Sequence, residues 1–189
     1  MCHPMDRSLV SSEPACLRPR ALGFGIIISM QAAFTALRAF TFAAGFLLLW
    51  LWVGLRLRSL DLYLGARLPG WTAALGILCF LVGGSLVLTC MVLFIVQGHG
   101  TPAPFDAPRR FVAIGPYKIV RNPMYIGGLT LLVGLALFEH SKSILFFCPV
   151  WFLLAHAFVV FYEEPSLAEK FGGTYQGYCK AVPRWIPTW

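Results

Sequence analysis

The feature that most constrains this chain is a series of long apolar stretches that carry no charged side chain. Trp71–Val96 exceeds the roughly 20 residues that a helix needs to cross a bilayer. Ala39–Leu55 and Ser143–Tyr162 are also uncharged and close to that length. Because backbone polar groups find no partners in lipid, such stretches must satisfy them internally, as helices do. The sequence therefore predicts an all-α, multi-span transmembrane helical bundle.

A fourth apolar stretch, Pro123–Phe138, is short when taken alone, at about 24 Å of helix. Only Glu139–Lys142 separates it from Ser143–Tyr162, so we expect the two to form a helical hairpin. This hairpin brings the predicted number of core spans to four.

The amino-terminal region, residues 1–37, differs from the rest. Met1–Arg20 is polar, and we expect it to be disordered. Ala21–Leu37 is moderately apolar but contains Gln31, which leaves an interfacial helix, a fifth span and a decayed signal sequence open. We therefore predict an amino-terminal extension at 1–37 and a membrane domain at 38–189.

Composition supports lipid as the main surrounding of the chain. Hydrophobic residues make up 58% of it and charged residues only 12%, against about 25% charge in soluble domains. The net charge of +7 comes from basic residues at the ends of apolar stretches, so the expected partner is the bilayer and not nucleic acid. The six cysteines show no paired spacing, and neither a disulfide framework nor a metal site is expected.

The distribution of basic residues predicts an orientation. With four spans, the amino terminus, Gly98–Asn122 and the tail after Tyr162 share one side, which holds eleven of the 15 Lys and Arg residues. The positive-inside rule places that side in the cytosol. A fifth span would leave eight Lys and Arg residues on that side and seven on the other, a difference too small to decide the orientation. In both cases Gly98–Asn122 and the tail lie on the same side.

The triplet Arg121-Asn122-Pro123 is typical of a helix start. Asn is a preferred N-cap and Pro suits the first helical position. The exposed N–H groups and partial positive charge there, beside Arg121, favour a carboxylate or phosphate ligand. On these residues alone, a capped membrane helix with a snorkelling arginine is the preferred explanation of the triplet.

The adjacent carboxylates Glu163 and Glu164 follow directly after an apolar stretch, where acidic groups are costly unless they meet a cation. A solvated helix end, or an ion pair with Arg121 or Arg184, is the alternative explanation. His156 precedes Glu163 by two helical turns, so both should share a face. Pocket lining and plain packing are both open for His156.

Three weaker patterns concern the glycines and the carboxyl-terminal tail. Gly98-x-Gly100 fits either a turn or a close backbone approach to a ligand. Glycines inside the apolar stretches either let helices approach closely or are incidental; they are Gly83, Gly84, Gly127, Gly128 and Gly134. Apolar residues recur at helical spacing in the tail and predict an interfacial C-terminal helix; they are Leu167, Phe171, Tyr175, Tyr178 and Val182.

Together these segments favour a ligand that carries a carboxylate and cationic groups at the lipid–water boundary. The string from Gly115 to Tyr125, the hairpin, the acidic pair and the tail through Arg184 resemble the isoprenylcysteine carboxyl methyltransferase and phospholipid methyltransferase superfamily. The resemblance covers roughly Gly98 to Pro187. It implies an integral membrane methyltransferase that uses S-adenosylmethionine from the cytosol and a lipidic or prenylated acceptor from the bilayer.

The resemblance also implies roles for individual residues. Catalytic roles fall to Arg121, Glu164 and Arg184. Cofactor binding falls to Gly98, Gly100, Tyr117, Arg121, Asn122, Pro123, Tyr125, His156, Glu163, Glu164 and Tyr178. Many relatives carry Arg-His-Pro where this chain has Arg121-Asn122-Pro123, and Asn cannot take a proton near neutral pH. A general base at position 122 is therefore in doubt.

Two other classes of protein fit parts of the pattern. A membrane reductase of the sterol-reductase type has a similar carboxyl-terminal region, but this chain shows no extra arginine cluster for a 2′-phosphate. A non-enzymatic membrane bundle would use Glu163 and Glu164 only for insertion or stability.

Overall fold

The computed structural model describes residues 21–64, 67–98 and 111–187. Within these ranges the regular structure is helical, apart from an isolated antiparallel bridge between Arg67 and Ser141, which confirms the all-α prediction. The α-helices are α1 (Ala21–Arg58), α2 (Asp61–Leu64), α3 (Thr72–Leu93), α4 (Pro123–Phe138), α5 (Lys142–Phe158) and α6 (Glu164–Ala181). π-helical turns extend α3 over Phe94–Gly98 and join α5 to α6 over Val159–Glu163, and a 3-10 turn at Gly115–Lys118 precedes α4.

Helix α1 is longer than the sequence predicted. It joins the two predicted segments Ala21–Leu37 and Ala39–Leu55 into one helix of 38 residues. At about 1.5 Å per residue, such a helix is roughly 57 Å long, well beyond a hydrocarbon core of about 30 Å. The predicted boundary between 37 and 38 lies inside this helix, and the two-part division stays a prediction. The segment Met1–Arg20 lies outside the described residues.

Two helical runs in the described part of the chain are long and apolar enough to cross a bilayer. They are Thr72–Gly98 and Lys142–Ala181, while α4 is apolar but shorter. Large apolar side chains point outward from α3, among them Leu81 at 68% exposure, as expected for a surface in contact with lipid. The predicted count of four spans stays a prediction.

Helices α3 and α4 cross antiparallel through two pairs of glycines. A Cβ atom added to Gly83 would lie 2.8 Å from the carbonyl oxygen of Gly127, and one added to Gly76 would lie 2.8 Å from that of Gly134. Such distances leave no room for a side chain, so the two backbones touch directly. This confirms the predicted close approach at Gly83, Gly127 and Gly134, and adds Gly76.

The other two predicted glycines do not share in this contact. A Cβ on Gly84 would find its nearest neighbour, a side-chain atom of Leu131, at 4.0 Å. One on Gly128 would meet the ring of Trp151 at 3.4 Å, which is an ordinary contact. Incidental glycine was the right interpretation for these two positions.

At one end of the bundle, hydrogen bonds tie the start of α5 to α2, and the α4–α5 turn to the segment that precedes α3. The Asp61 carboxylate accepts from the backbone N–H and the hydroxyl of Ser143, at 2.9 and 2.6 Å, and Leu68 N–H donates to the His140 carbonyl at 2.9 Å. Burial opposes ionisation of Asp61, but hydrogen bonds from Ser141 and Ser143 hold its pKa below the usual value. The end of α3, the start of α4 and the end of α5 consequently meet at the opposite end.

Candidate functional site

The candidate site lies where α4 begins and α5 passes into α6. Helix α4 begins at Pro123, as predicted, and Asn122 occupies the N-cap position. The predicted capping bond is wrong, because the Asn122 side chain makes no bond to the helix. Its amide instead donates to the carbonyl oxygen of Arg184 at 3.2 Å. The carboxyl-terminal segment passes close enough to offer the buried Asn122 side chain this acceptor.

That segment, Val182–Pro187, is called the C-terminal strap below. Extended backbone at Val182 ends α6. The Arg121 N–H then donates to the Pro183 carbonyl at 2.9 Å, next to the bond between Asn122 and Arg184. Two consecutive residues before α4 are thus hydrogen-bonded to two consecutive carbonyls of the strap. These bonds hold the strap across the start of α4.

An ion-pair cluster joins the strap to the start of α6. Nε and Nη2 of Arg184 donate to the two carboxylate oxygens of Glu164 at 2.7 and 2.8 Å. Nη1 of Arg121 lies 3.1 Å from the nearer of these oxygens, and the Arg121 side chain is only 13% exposed. Hydrogen bonding to Glu164 raises the pKa of Arg184 above its already high usual value. The ion pair weighed as an alternative for the acidic pair therefore exists for Glu164.

One nitrogen of the Arg121 guanidinium, the buried Nε, is unpaired in the described part of the chain. Nη1 of the same guanidinium also donates to the sulfur of Cys179 at 2.8 Å. A buried donor without a partner costs about 1–3 kcal/mol. The cluster of Arg121, Arg184 and Glu164 also carries one more positive than negative charge. Both facts suit an incoming anionic group.

The neighbouring carboxylate, Glu163, has a different partner. The hydroxyl of Tyr125 donates to its Oε2 at 2.9 Å, and among the described residues it forms no ion pair. The two adjacent glutamates thus separate: Glu164 binds guanidinium groups and Glu163 binds a phenol. Glu163 ends the π-helical turn Val159–Glu163, a type of local distortion that is frequent at functional sites.

His156 contacts a strap residue that the sequence reasoning missed. Trp185 Nε1 donates to His156 Nδ1 at 2.9 Å. The Trp185 ring also packs against Phe152, at 5.0 Å between centroids, and edge-on against Tyr125 at 6.3 Å. The signal available beforehand was a tryptophan directly after Arg184, since a buried indole N–H needs a partner.

Two further predicted residues, Tyr117 and Tyr178, lie beside this cluster. The Tyr178 hydroxyl donates to the Tyr117 carbonyl at 2.6 Å. Tyr117 is buried, and burial raises its pKa well above the usual value, so its hydroxyl stays neutral. Its ring packs edge-on against Phe94, which begins the π-helical turn that Gly98 ends. Gly100 lies outside the described residues.

The structure thus brings two groups of predicted site residues together at one end of the bundle, a first block within residues 117–125 and a second block within residues 156–184. The members of the first block that take part are Tyr117, Arg121, Asn122, Pro123 and Tyr125. Those of the second are His156, Glu163, Glu164, Tyr178 and Arg184. The cluster offers the guanidinium groups of Arg121 and Arg184 for an anion. For a cation it offers Glu163, a carboxylate that forms no ion pair within the described part of the chain.

Comparison with known proteins adds one finding. The family model described as phospholipid methyltransferase matches residues 71–174, more than half of the chain. No curated protein and no solved structure gave a match. The matched region begins just before α3, farther toward the amino terminus than the resemblance seen in the motifs. It ends inside α6, so the C-terminal strap lies beyond it.

Proposed function

The chain belongs to the phospholipid methyltransferase family, and on that premise we propose that it methylates a lipidic acceptor with S-adenosylmethionine. Family membership and the two long apolar helical runs indicate an integral membrane methyltransferase. The proposal adds that the protein crosses the membrane several times and that its site faces the cytosol. Since the family description names phospholipids, a head-group amine is the first acceptor to test, and a prenylated cysteine carboxylate is the second.

The main support for the proposal is the buried Arg121 guanidinium, whose Nε has no partner among the described residues. Tyr125, four residues farther along the chain, donates its phenol hydroxyl to Glu163. The methionine part of S-adenosylmethionine presents a carboxylate and an ammonium group. Arg121 would hold the carboxylate through its Nε, and Glu163 would hold the ammonium. When bound, S-adenosylmethionine supplies a methyl group made electrophilic by its sulfonium.

The other residues of the cluster orient these two. Glu164 accepts from the guanidinium groups of both Arg121 and Arg184, and charge-assisted bonds of this kind are about twice as strong as neutral ones. Tyr125 fixes the direction of Glu163. Good alignment of reacting groups can contribute roughly 7–11 kcal/mol to a barrier. Orientation is therefore the main contribution proposed for this site.

Asn122 limits the proton chemistry. Its amide cannot accept a proton, and its N–H is already bonded to the Arg184 carbonyl. An ionised carboxylate acceptor needs no base, whereas an amine must lose its proton before transfer. The identity of the acceptor therefore decides whether proton removal affects the rate.

The test uses the full chain purified in detergent. Saturable binding of S-adenosylhomocysteine is measured first. Transfer of a labelled methyl group to phosphatidylethanolamine and to a prenylcysteine analogue is then measured side by side. We expect binding and transfer to at least one of them; absence of binding refutes the proposed function.

Three variants test the site itself. Arg121→Ala and Glu164→Gln each remove charge-assisted hydrogen bonds worth about 1.5–3 kcal/mol, so binding should weaken about tenfold or more. Glu169→Gln removes an exposed carboxylate of the same helix α6 and should bind like the original chain. If all three variants bind equally well, the assignment of the site is wrong even where the enzyme is active.

A further inference from the structure

Trp185 fixes the protonation pattern of His156. An indole nitrogen can only donate a hydrogen bond, so the His156 Nδ1 that lies 2.9 Å from Trp185 Nε1 must accept it. An Nδ1 that accepts carries no proton, and a neutral imidazole then has its proton on Nε2. While this bond exists, Nδ1 of His156 acts as an acceptor, which corresponds to the Nε2–H form of the ring.

Trp185 also supports the pair formed by Tyr125 and Glu163. Its ring packs edge-on against the Tyr125 ring, at 6.3 Å between centroids and 80° between planes. The hydroxyl of that same tyrosine donates to Glu163 at 2.9 Å. On its other side Trp185 packs against Phe152 of α5, at 5.0 Å. The indole therefore lies between α4 and α5, in contact with both.

The strap holds Trp185 in this place through its neighbour. The backbone carbonyl of Arg184 accepts from Asn122, and the Arg184 side chain binds Glu164 through both carboxylate oxygens. Movement of the strap would consequently disturb the ion-pair cluster, the imidazole and the Tyr125–Glu163 pair together. The strap lies outside the region that the family model matches.

We propose that Trp185 is a positioning residue, which keeps His156 in its Nε2–H form and aligns the Tyr125–Glu163 pair for reaction. This inference rests on the proposed function, since alignment matters only if the pair serves methyl transfer. Trp185 itself takes no part in bond making or breaking. It acts through the imidazole and the phenol that it contacts.

The first test observes the imidazole directly and needs no activity. Nitrogen-15 NMR of the full chain in detergent reports which ring nitrogen of each histidine carries the proton, and the His156 signals are identified by their loss in His156→Gln. We expect the Nε2–H form in the original chain. In Trp185→Phe, which keeps an aromatic ring but loses the N–H, we expect a mixture of both forms. An unchanged proton position in Trp185→Phe overturns the proposal.

The second test separates positioning from binding. Trp185→Ala should lower kcat by about 100-fold while the KM for S-adenosylmethionine changes by no more than about threefold, because alignment is lost and the ionic contacts remain. Trp185→Phe should show a smaller loss, since its ring still packs on Tyr125. Ile186→Ala changes the adjacent strap residue, which is 77% exposed, and should behave like the original chain.

The outcomes distinguish the two levels of inference. An original chain that transfers no methyl group refutes the proposed function, and the positioning role with it. An active original chain with unchanged kcat in both Trp185 variants overturns the positioning role alone. A parallel loss of kcat in Ile186→Ala does the same, because it would indicate general sensitivity of the strap.

Discussion

The crossing of α3 and α4 makes the substitution Gly83→Ala a sharp test of the packing. The added Cβ would lie 2.8 Å from the Gly127 carbonyl oxygen and 3.0 Å from the Leu131 backbone nitrogen. Ordinary contact begins at 3.4 Å, so the helices must separate locally by about 0.6 Å, since neither backbone atom can rotate away. Overpacking of this kind costs about 1–3 kcal/mol, and the gain of alanine over glycine in a helix offsets up to about 1 kcal/mol. We expect a net loss of about 1–2 kcal/mol.

The adjacent substitution Gly84→Ala is the matched control. It has the same chemistry in the same helix turn, but the nearest atom, in the Leu131 side chain, is 4.0 Å away. It should leave the free energy of unfolding unchanged or raise it by up to about 1 kcal/mol. Thermal unfolding in detergent measures both, at about 2–4 °C per kcal/mol for a chain of this size. Equal shifts for the two variants would refute the proposed contact between the helices.

Two further predictions concern pH. Asp61→Asn should lower the free energy of unfolding by about 1–2 kcal/mol at neutral pH, because a charged acceptor for Ser143 is lost. The folded-state pKa of Asp61 is lowered from 3.8, so this difference in the free energy of unfolding should be complete above about pH 5. It should vanish as the pH falls through the lowered pKa. A difference that does not depend on pH contradicts this prediction. For the reaction, the rate with an amine acceptor should rise about tenfold per pH unit below the pKa of that amine, because Asn122 supplies no base, whereas a carboxylate acceptor should give a constant rate above about pH 5. Rate measurements with both acceptors check this, and equal slopes contradict it.

Local rules predicted the start of α4 but not the partner of Asn122. The order of Asn and Pro before an apolar stretch was enough to place the first helical residue at Pro123. The capping preference of Asn predicts only a hydrogen bond to the helix that Asn begins. The Asn122 side chain donates instead to the backbone carbonyl of Arg184, which is 62 residues away in sequence. No rule based on neighbouring residues predicts such a contact.

Charge was a better guide to long-range contacts than side-chain spacing. Opposite charges at one membrane face tend to form ion pairs, because solvation there is poor. The pairing of Glu164 with Arg121 and Arg184 was therefore one of the alternatives that the sequence predicted. The argument that His156 and Glu163 share a face assumed uniform α-helix between them. The π-helical turn interrupts that helix, and the contact of His156 with Trp185 depends on the direction of the strap after α6.

The glycine contacts were partly visible in the sequence. Adjacency of two glycines does not identify the contacts. The pattern that does is the seven-residue interval from Gly76 to Gly83 and from Gly127 to Gly134, which places each pair on one side of its helix. Gly76 was not among the predicted glycines, although it lies seven residues before Gly83. Gly84 and Gly128 were included because they adjoin a glycine that matters.

The π-helical turn Val159–Glu163 makes the site sensitive to the number of residues before it. A π-helical turn closes over five residues, so deletion of one residue there would turn everything beyond it by about 100° relative to α5. Glu164 would then no longer point toward Arg121, nor Glu163 toward Tyr125, although every residue named in the site would still be present. Related chains that keep both motifs but differ in the length of this turn are therefore not equivalent. A comparison of this site between related chains must therefore include the number of residues in the π-helical turn as well as the identity of the site residues.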